Sequence, residues 1–338
     1  MIYILIFTLG LLISWLGTRY LCLEQNKSFL LDIPNDRSLH SQPIPRSGGI
    51  AILVSIFFTA SLLVWLVDFR DYIGIYLASL VLALVSLYDD RNHIKAHFRL
   101  MVHITIAFLL VYFELSLTSF QLPGIDLEIS GWLNYIISIL IIVWLINLFN
   151  FMDGMDGFAG GMALVGFSTF IILGWLHNDS VFMYANIGIV AAVLGFLFYN
   201  FPPARIFMGD SGSSVLGLFV ISIILIADIK NLFPFWIGVL VFSPFIVDAS
   251  VTLVHRLLKF EKIWEAHRSH FYQRLVQHGW GHKKTVLHEY VLMLCCGISA
   301  IVAVQSTEAI QLGILIGWCI IYLGLILYLS KYLNKVRS

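Results

Sequence analysis

The chain of 338 residues is short of charge: Asp, Glu, Lys and Arg make up 12% of it, against 59% apolar residues. A soluble protein of this length could not cover its surface with so few charges, so an aqueous globular fold is excluded and an integral membrane protein remains. Mean hydropathy of +0.90 agrees. Cysteine is also scarce. Cys22, Cys295, Cys296 and Cys319 fall in or beside apolar runs with no CxxC or CxxH spacing, which speaks against a disulfide framework or thiolate metal site and for packing residues. The first apolar run, Met1–Gly17, lacks a basic lead and a small-residue cleavage site, so it is expected to be a retained span rather than a signal peptide. Formal net charge is zero, and no nucleic-acid partner is expected.

Long apolar runs are what the chain has in abundance. Crossing hydrocarbon takes roughly 20 mostly apolar residues. Eleven candidates occur, at about 1–21, 48–67, 72–88, 100–118, 132–149, 159–176, 182–199, 212–227, 235–255, 286–304 and 309–330. If the N-terminus is outside, every lysine and arginine except Arg70 and Lys230 falls on the inner side. The positive-inside rule then orients the chain N-out and C-in. The expectation is one all-α polytopic domain over residues 1–338 in a membrane. Its chemistry is expected in the cytosolic loops 24–47, 89–99, 150–158, 200–211 and 256–284.

Five aspartates stand at the edges of these runs: Asp89 and Asp90 in SLYDD, Asp153 and Asp156 in NFMDGMDG, and Asp210 in FMGDSGS. Carboxylates at the edge of hydrocarbon are costly and usually line a cavity, an ion path or a reactive site. The charge count places all five on one face. Asn150, Asp153 and Asp156 recur every three residues among glycines, a spacing that could gather them on one side of a turn. The Gly-Asp-Ser-Gly-Ser stretch at 209–213 opens a span whose first N–H groups could cradle phosphate. In the first inner loop, Arg37, His40, Arg46 and Ser47 are suitable phosphate donors, and Gly48-Gly49 permits close backbone approach. Arg91, Lys95 and Arg99 could hold phosphate beside Asp89 and Asp90, which in turn could hold Mg²⁺ or take a proton. The last loop carries His267, Arg268, His270, Tyr272 and Arg274, then His278 and His282. Phosphate binding by His and Arg suits it better than zinc, because basic neighbours repel a cation and no third ligand is spaced for one. Asp248 and His103, within spans, read as interhelical hydrogen-bond partners.

Taken in order, SLYDD, NFMDGMDG, NFPPARIFMGDSGS and AHRSHFYQR resemble the motifs of the polyprenyl-phosphate N-acetylhexosamine-1-phosphate transferases, glycosyltransferase family 4. The likeness runs from about Asp32 to Arg274. It implies transfer of a sugar 1-phosphate (GlcNAc, FucNAc, QuiNAc or GalNAc) from a UDP-N-acetylhexosamine to undecaprenyl phosphate, with release of UMP. Such a step would initiate O-antigen, lipopolysaccharide or a related envelope polysaccharide. Mg²⁺ is the implied cofactor, with Mn²⁺ an admissible substitute, and Asn150 and Asp210 are the implied metal ligands. Asp89, Asp90 and Asp210 are the implied catalytic residues, with Asp89 or Asp90 as base or acceptor-phosphate positioner. The implied substrate-binding positions are Asp153, Asp156, Asn200, Phe207 (stacking on uracil), His267, Arg268, His270 and Arg274, with Arg46 as a phosphate donor. Direct attack and a covalent intermediate on Asp210 both stay open, and a homodimer is compatible. The segment His-Arg-Ser-His departs from the adjacent histidines of the pentapeptide transferase branch, which favours a simple hexosamine donor. An intramembrane aspartyl protease would need two facing aspartates within spans, and an ion-coupled transporter would need polar groups near the midplane; the acidic motifs here gather at one edge.

Overall fold

The computed structural model describes residues 1–23, 30–34, 39, 42–92, 94–261 and 267–335; Arg37 and His40 lie outside the described residues. The helices are α1 Ile2–Leu21, α2 Gly48–Leu66, α3 Arg70–Asn92, α4 Ala96–Tyr112, α5 Trp132–Phe151, α6 Phe158–Leu176 and α7 Ser180–Asn200. They continue with α8 Asp210–Ile229, α9 Phe235–Val241, α10 Ser243–Leu258, α11 Phe271–Leu275, a π-helical turn Val276–Trp280, α12 Gly281–Val304 and α13 Glu308–Lys335. Two short hairpins complete the described structure, β1 Leu31–Asp32 with β2 Ile44–Pro45 and β3 Ser119–Leu122 with β4 Ile125–Glu128.

The protein is therefore an all-α polytopic membrane protein. Among the described residues, 9 helices are long and apolar enough to cross a membrane. Two of the expected spans take another form. The run at 100–118 folds as α4, with 17 residues. The run at 235–255 is broken into α9 and α10, which meet at 82°. Pro244 explains the break: it has no N–H to offer the carbonyl of Leu240, four residues back. The Ser243 hydroxyl donates to that carbonyl instead, at 2.7 Å.

Among lipid chains, apolar burial gives helices little reason to associate, so close packing and interhelical hydrogen bonds decide the arrangement. α8 is the centre, with 89% of its spanning window buried, whereas the window of α13 is 0% buried and faces outward. Ser55 Oγ donates to the carbonyl of Gly10 at 2.7 Å, tying α2 to α1. Gly48 N and Gly49 N donate to the carbonyls of Phe207 and Met208 at 2.9 and 2.8 Å. A Cβ at Gly49 would lie 2.5 Å from the backbone nitrogen of Gly212, so only glycine lets the first turn of α2 reach α8. At the opposite end of the bundle, Lys230 Nζ sits 2.9 Å from Asp71 and 3.5 Å from Asp179, clasping the end of α8 to the starts of α3 and α7.

Replacing Gly49 with alanine should force α2 away from α8 and cost about 1–3 kcal/mol, the usual penalty of overpacking. Thermal unfolding in detergent checks this; an unchanged midpoint would show that the two helices do not approach so closely.

Candidate functional site

Asp90, at the last turn of α3, projects onto the start of α8. Its Oδ1 accepts from Asp210 N at 3.2 Å and its Oδ2 from Ser211 N at 3.1 Å. The first N–H groups of a helix have no intrahelical partner and carry positive partial charge, so a carboxylate here is stabilised. The phosphate cradle expected at 209–213 is therefore filled in part by Asp90. Gly209 makes the turn at φ +77°, a left-handed conformation that disfavours side chains, and a Cβ there would lie 2.5 Å from the carbonyl oxygen of Arg46. Arg46 completes the corner: its Nη2 lies 3.6 Å from Asp90 Oδ1 and donates to the carbonyl of Asp90.

Asp89 turns the other way. Its Oδ1 accepts from Ile94 N at 2.7 Å, and its Oδ2 accepts from Arg99 Nη1 at 3.1 Å. The same guanidinium nitrogen reaches Asp210 Oδ2 at 3.1 Å. Arg99, read from sequence as one of three bases able to hold phosphate beside Asp89 and Asp90, also bridges the first and third acidic motifs. Asn150, in the last turn of α5, donates from Nδ2 to Ser213 Oγ at 2.9 Å, three residues along α8 from Asp210.

The second acidic motif divides. Asp153 leaves α5 toward the centre of the cluster. It keeps some accessible surface but is hemmed in by protein, and this desolvation, followed by the charges of Asp210 and Asp90, pushes its carboxyl well above the usual range. Asp156, by contrast, is buried and turned away. Its Oδ2 accepts from Ala204 N at 2.9 Å. Its Oδ1 lies 2.9 Å from His282 Nδ1. Gly157, at φ +72°, turns the chain between Asp153 and α6 and separates the two carboxylates. Asn200 holds the same junction: Oδ1 accepts from Gly157 N and Nδ2 donates to the carbonyl of Ile206, both at 2.9 Å. Phe207 is half-buried, with its backbone N donating to Pro45 O at 2.7 Å.

The histidine segment is organised by Asp248 of α10. Its Oδ1 accepts from Phe271 N at 3.0 Å and lies 3.2 Å from His270 Nδ1, and its Oδ2 accepts from Tyr272 N at 3.2 Å. Asp248 is thus the interhelical partner expected from sequence; His103 is buried on α4. One side of α11, Tyr272 and Gln273, turns toward the aspartates, with Tyr272 OH donating to Phe151 O at 3.4 Å. The other side carries Arg274, which lies with Arg268 on a separate cavity lined by none of the five motif aspartates. His267 stacks loosely on His270, ring centroids 4.9 Å apart. Desolvation, His270 and Arg256 push His267 down to about 4, so it meets a ligand as a neutral hydrogen-bonding group at pH 7.

Among the described residues, no three His, Cys, Asp or Glu side chains close into a metal cage. Mg²⁺ does not require one, since it commonly takes one or two carboxylates together with substrate phosphates and water. Desolvation, and after it the charges of Asp210 and Asp90, raise Asp153, and the carboxylates and the Asn150 amide offer oxygen donors. The cluster fits a hard divalent cation.

Residues 72–228 match the model of Glycosyl transferase family 4. Over 90% of this chain and 86% of the relative, the sequence is 28% identical to a probable undecaprenyl-phosphate N-acetylglucosaminyl 1-phosphate transferase of Bacillus subtilis (strain 168). A decaprenyl-phosphate N-acetylglucosaminephosphotransferase of Mycobacterium leprae (strain TN) is 27% identical over 90% of this chain and 85% of its own. A phospho-N-acetylmuramoyl-pentapeptide-transferase of B. subtilis is 26% identical over 72% and 78%.

The desolvated Asp153 makes a pH-dependent prediction. Its raised pKa means that the folded state holds the proton more tightly than the unfolded state. Its contribution is most favourable below the unfolded value near 3.9 and is lost as pH rises through the higher folded value. In chelator at pH 7.5, Asp153→Asn should therefore raise the thermal midpoint, on the order of 2 °C or more. A lowered midpoint would show that the carboxylate is already neutralised by its surroundings.

Proposed function

Since this chain is a glycosyl transferase family 4 protein, we propose that it transfers an N-acetylhexosamine 1-phosphate from a UDP-sugar to a polyprenyl phosphate. An oxygen of the lipid phosphate attacks the phosphorus next to the sugar, the bond to the bridging oxygen of the diphosphate breaks, and UMP leaves. The observation that carries this reading is the convergence of Asp89, Asp90, Asp153 and Asp210 with Arg46 and Arg99 at one end of a membrane bundle. A lipid-borne phosphate and a soluble nucleotide can meet only at such an edge. Charge neutralisation and in-line positioning dominate phosphoryl transfer.

The residues divide the work as follows. Arg99 and Arg46 neutralise phosphate oxygens while holding Asp89, Asp210 and Asp90 in place. Asp89 and Asp90 are committed to these cations and to backbone N–H groups, which makes them poor bases. A lipid phosphate monoester, with a second pKa of about 6, is already ionised at neutral pH and needs none. Asp153, whose carboxyl desolvation and the charges of Asp210 and Asp90 raise above the usual range, is placed to hold a proton. Asn150 and Asp210 would hold Mg²⁺, which supplies further charge neutralisation when bound. The donor we favour is UDP-GlcNAc, in keeping with the names of two relatives; the corresponding FucNAc, QuiNAc and GalNAc donors are the alternatives. Undecaprenyl phosphate is the proposed acceptor, and initiation of an O-antigen or related envelope polysaccharide the proposed setting. The charge asymmetry of the loops supports a site facing the cytosol.

Purified protein given Mg²⁺, undecaprenyl phosphate and UDP-[³H]GlcNAc should form lipid-linked sugar and UMP, and chelator should stop it. Asp210→Asn should lower the rate by at least about 100-fold, as expected when an electrostatic stabiliser of a phosphoryl transition state is lost. Turnover indifferent to both chelator and Asp210→Asn would sink the proposal. For orientation, an impermeant maleimide applied to intact cells should label Gln121→Cys in the β3–β4 hairpin and spare Lys259→Cys at the end of α10. The reverse pattern would invert the topology.

A further inference from the structure

The end of the bundle opposite the motif aspartates carries a cavity of about 930 Å³. Two helices that meet at the aspartate site also end here: α4 and α8, whose first turns hold the 3.1 Å contact between Arg99 and Asp210. Glu114, two residues past the end of α4, and Asp228, in the last turn of α8, both line the cavity. Asp228 stands about 27 Å along α8 from Asp210, at the usual helical rise per residue, so the two sites are separate.

The cavity is negative. Among the described residues its wall holds no lysine, arginine or histidine. Lys230 lies between two wall residues, Ile229 and Asn231, yet its ammonium turns away to Asp71, Asp179 and the ring of Tyr72. Arg70, also at this end, sits 3.2 Å from Asp68. Asp228 Oδ1 accepts from Phe235 N at 2.8 Å, a bond that steadies the carboxylate without neutralising it. The Glu114 carboxylate has no partner among the described residues. Asp126 adds charge nearby, paired with the wall residue Gln121 across the β3–β4 hairpin.

The rest of the wall decides what kind of cation fits. Ser116 borders the cavity and is only 7% exposed, and its hydroxyl has no hydrogen-bond partner among the described residues. A buried hydroxyl in that position calls for a partner from outside the chain. A bare metal ion suits the space poorly: no three His, Cys, Asp or Glu side chains gather for one among the described residues, and the volume is that of a small-molecule site. Phe108 and Tyr112, with ring centroids 6.5 Å apart, add aromatic faces, which attract organic cations. Carboxylates, a free hydroxyl and aromatic faces together match an amine carried on a carbon frame.

We propose that this cavity binds an organic ammonium ligand, supplied either by a soluble polyamine or by the amine headgroup of a membrane phospholipid. Glu114 and Asp228 neutralise the charge, Ser116 accepts a hydrogen bond from the amine, and Phe108 and Tyr112 pack against its carbon frame.

Native mass spectrometry of the full chain, in detergent with chelator, tests this without donor or acceptor, so its failure would leave the transfer proposal untouched. Spermidine is one probe; phosphatidylethanolamine against phosphatidylglycerol of the same acyl chains is the other. Bound spermidine identifies a soluble ligand, and retention of phosphatidylethanolamine in preference to phosphatidylglycerol identifies a headgroup. Glu114→Gln/Asp228→Asn should cut the retention by about tenfold or more at an unchanged thermal midpoint, since Glu114 is exposed and asparagine can still accept from Phe235 N. Glu114→Gln alone, at the exposed position, should already weaken it about fivefold. Retention of neither probe, or retention that both variants leave intact, would overturn the proposal. Calcium bound in place of either amine, once chelator is omitted, would overturn it in favour of a metal site.

Discussion

The contact between the Asp90 carboxylate and the first turn of α8 is the one on which the site depends. Two backbone N–H groups of α8 end on this side chain, and α8 is also the most buried helix of the bundle. A buried helix start without partners would be a serious cost in a membrane, where no water stands in for them. By supplying the partner from α3, Asp90 fixes the rotation and height of α8, and with them the position of Asp210. Asp210 in turn meets Arg99, and Arg99 meets Asp89. The adjacent aspartates of SLYDD are therefore unlike in duty: one shapes the helix that presents the site, the other faces it.

Several features were legible in the sequence because they rest on composition and local spacing. Sparse charge announced the membrane, and apolar runs located nearly every helix. The Gly48-Gly49 pair announced a close approach, which the structure shows to be toward residues 207–212. What was hidden depended on direction rather than identity. The three-residue spacing of Asn150, Asp153 and Asp156 suggested one shared face, but α5 ends at Phe151 and Gly157 adopts a left-handed conformation, so the three side chains point to different neighbours. Asn200 belongs to a conspicuous motif yet spends both ends of its amide on backbone. Arg99 is unremarkable in sequence, and only its place on α4 brings it between two carboxylates. The break between α9 and α10 was signalled by Pro244, although hydropathy alone reads through it.

The site also shows how a membrane protein keeps carboxylates at an energetically hostile boundary. Asp90 is met by a helix terminus, Asp89 and Asp210 by a guanidinium, Asp156 by a backbone N–H and an imidazole, and Asp248 by two backbone N–H groups. Asp153 is the exception. Desolvation raises its carboxyl well above the usual range, which is the usual mark of a group retained for reactivity rather than stability.

The turn between α9 and α10 has a consequence for how reactants are searched for. Two segments meeting at 82° cannot both run along the membrane normal. Where one follows the bundle, the other lies closer to the plane of the bilayer and interrupts the wall of upright helices. A reactant held in lipid moves in two dimensions and meets the protein only along its perimeter. Where such a bend faces lipid, it breaks the even outline that upright helices present, and the encounter rate of a lipid-bound reactant then depends on that seam rather than on the protein's whole outline.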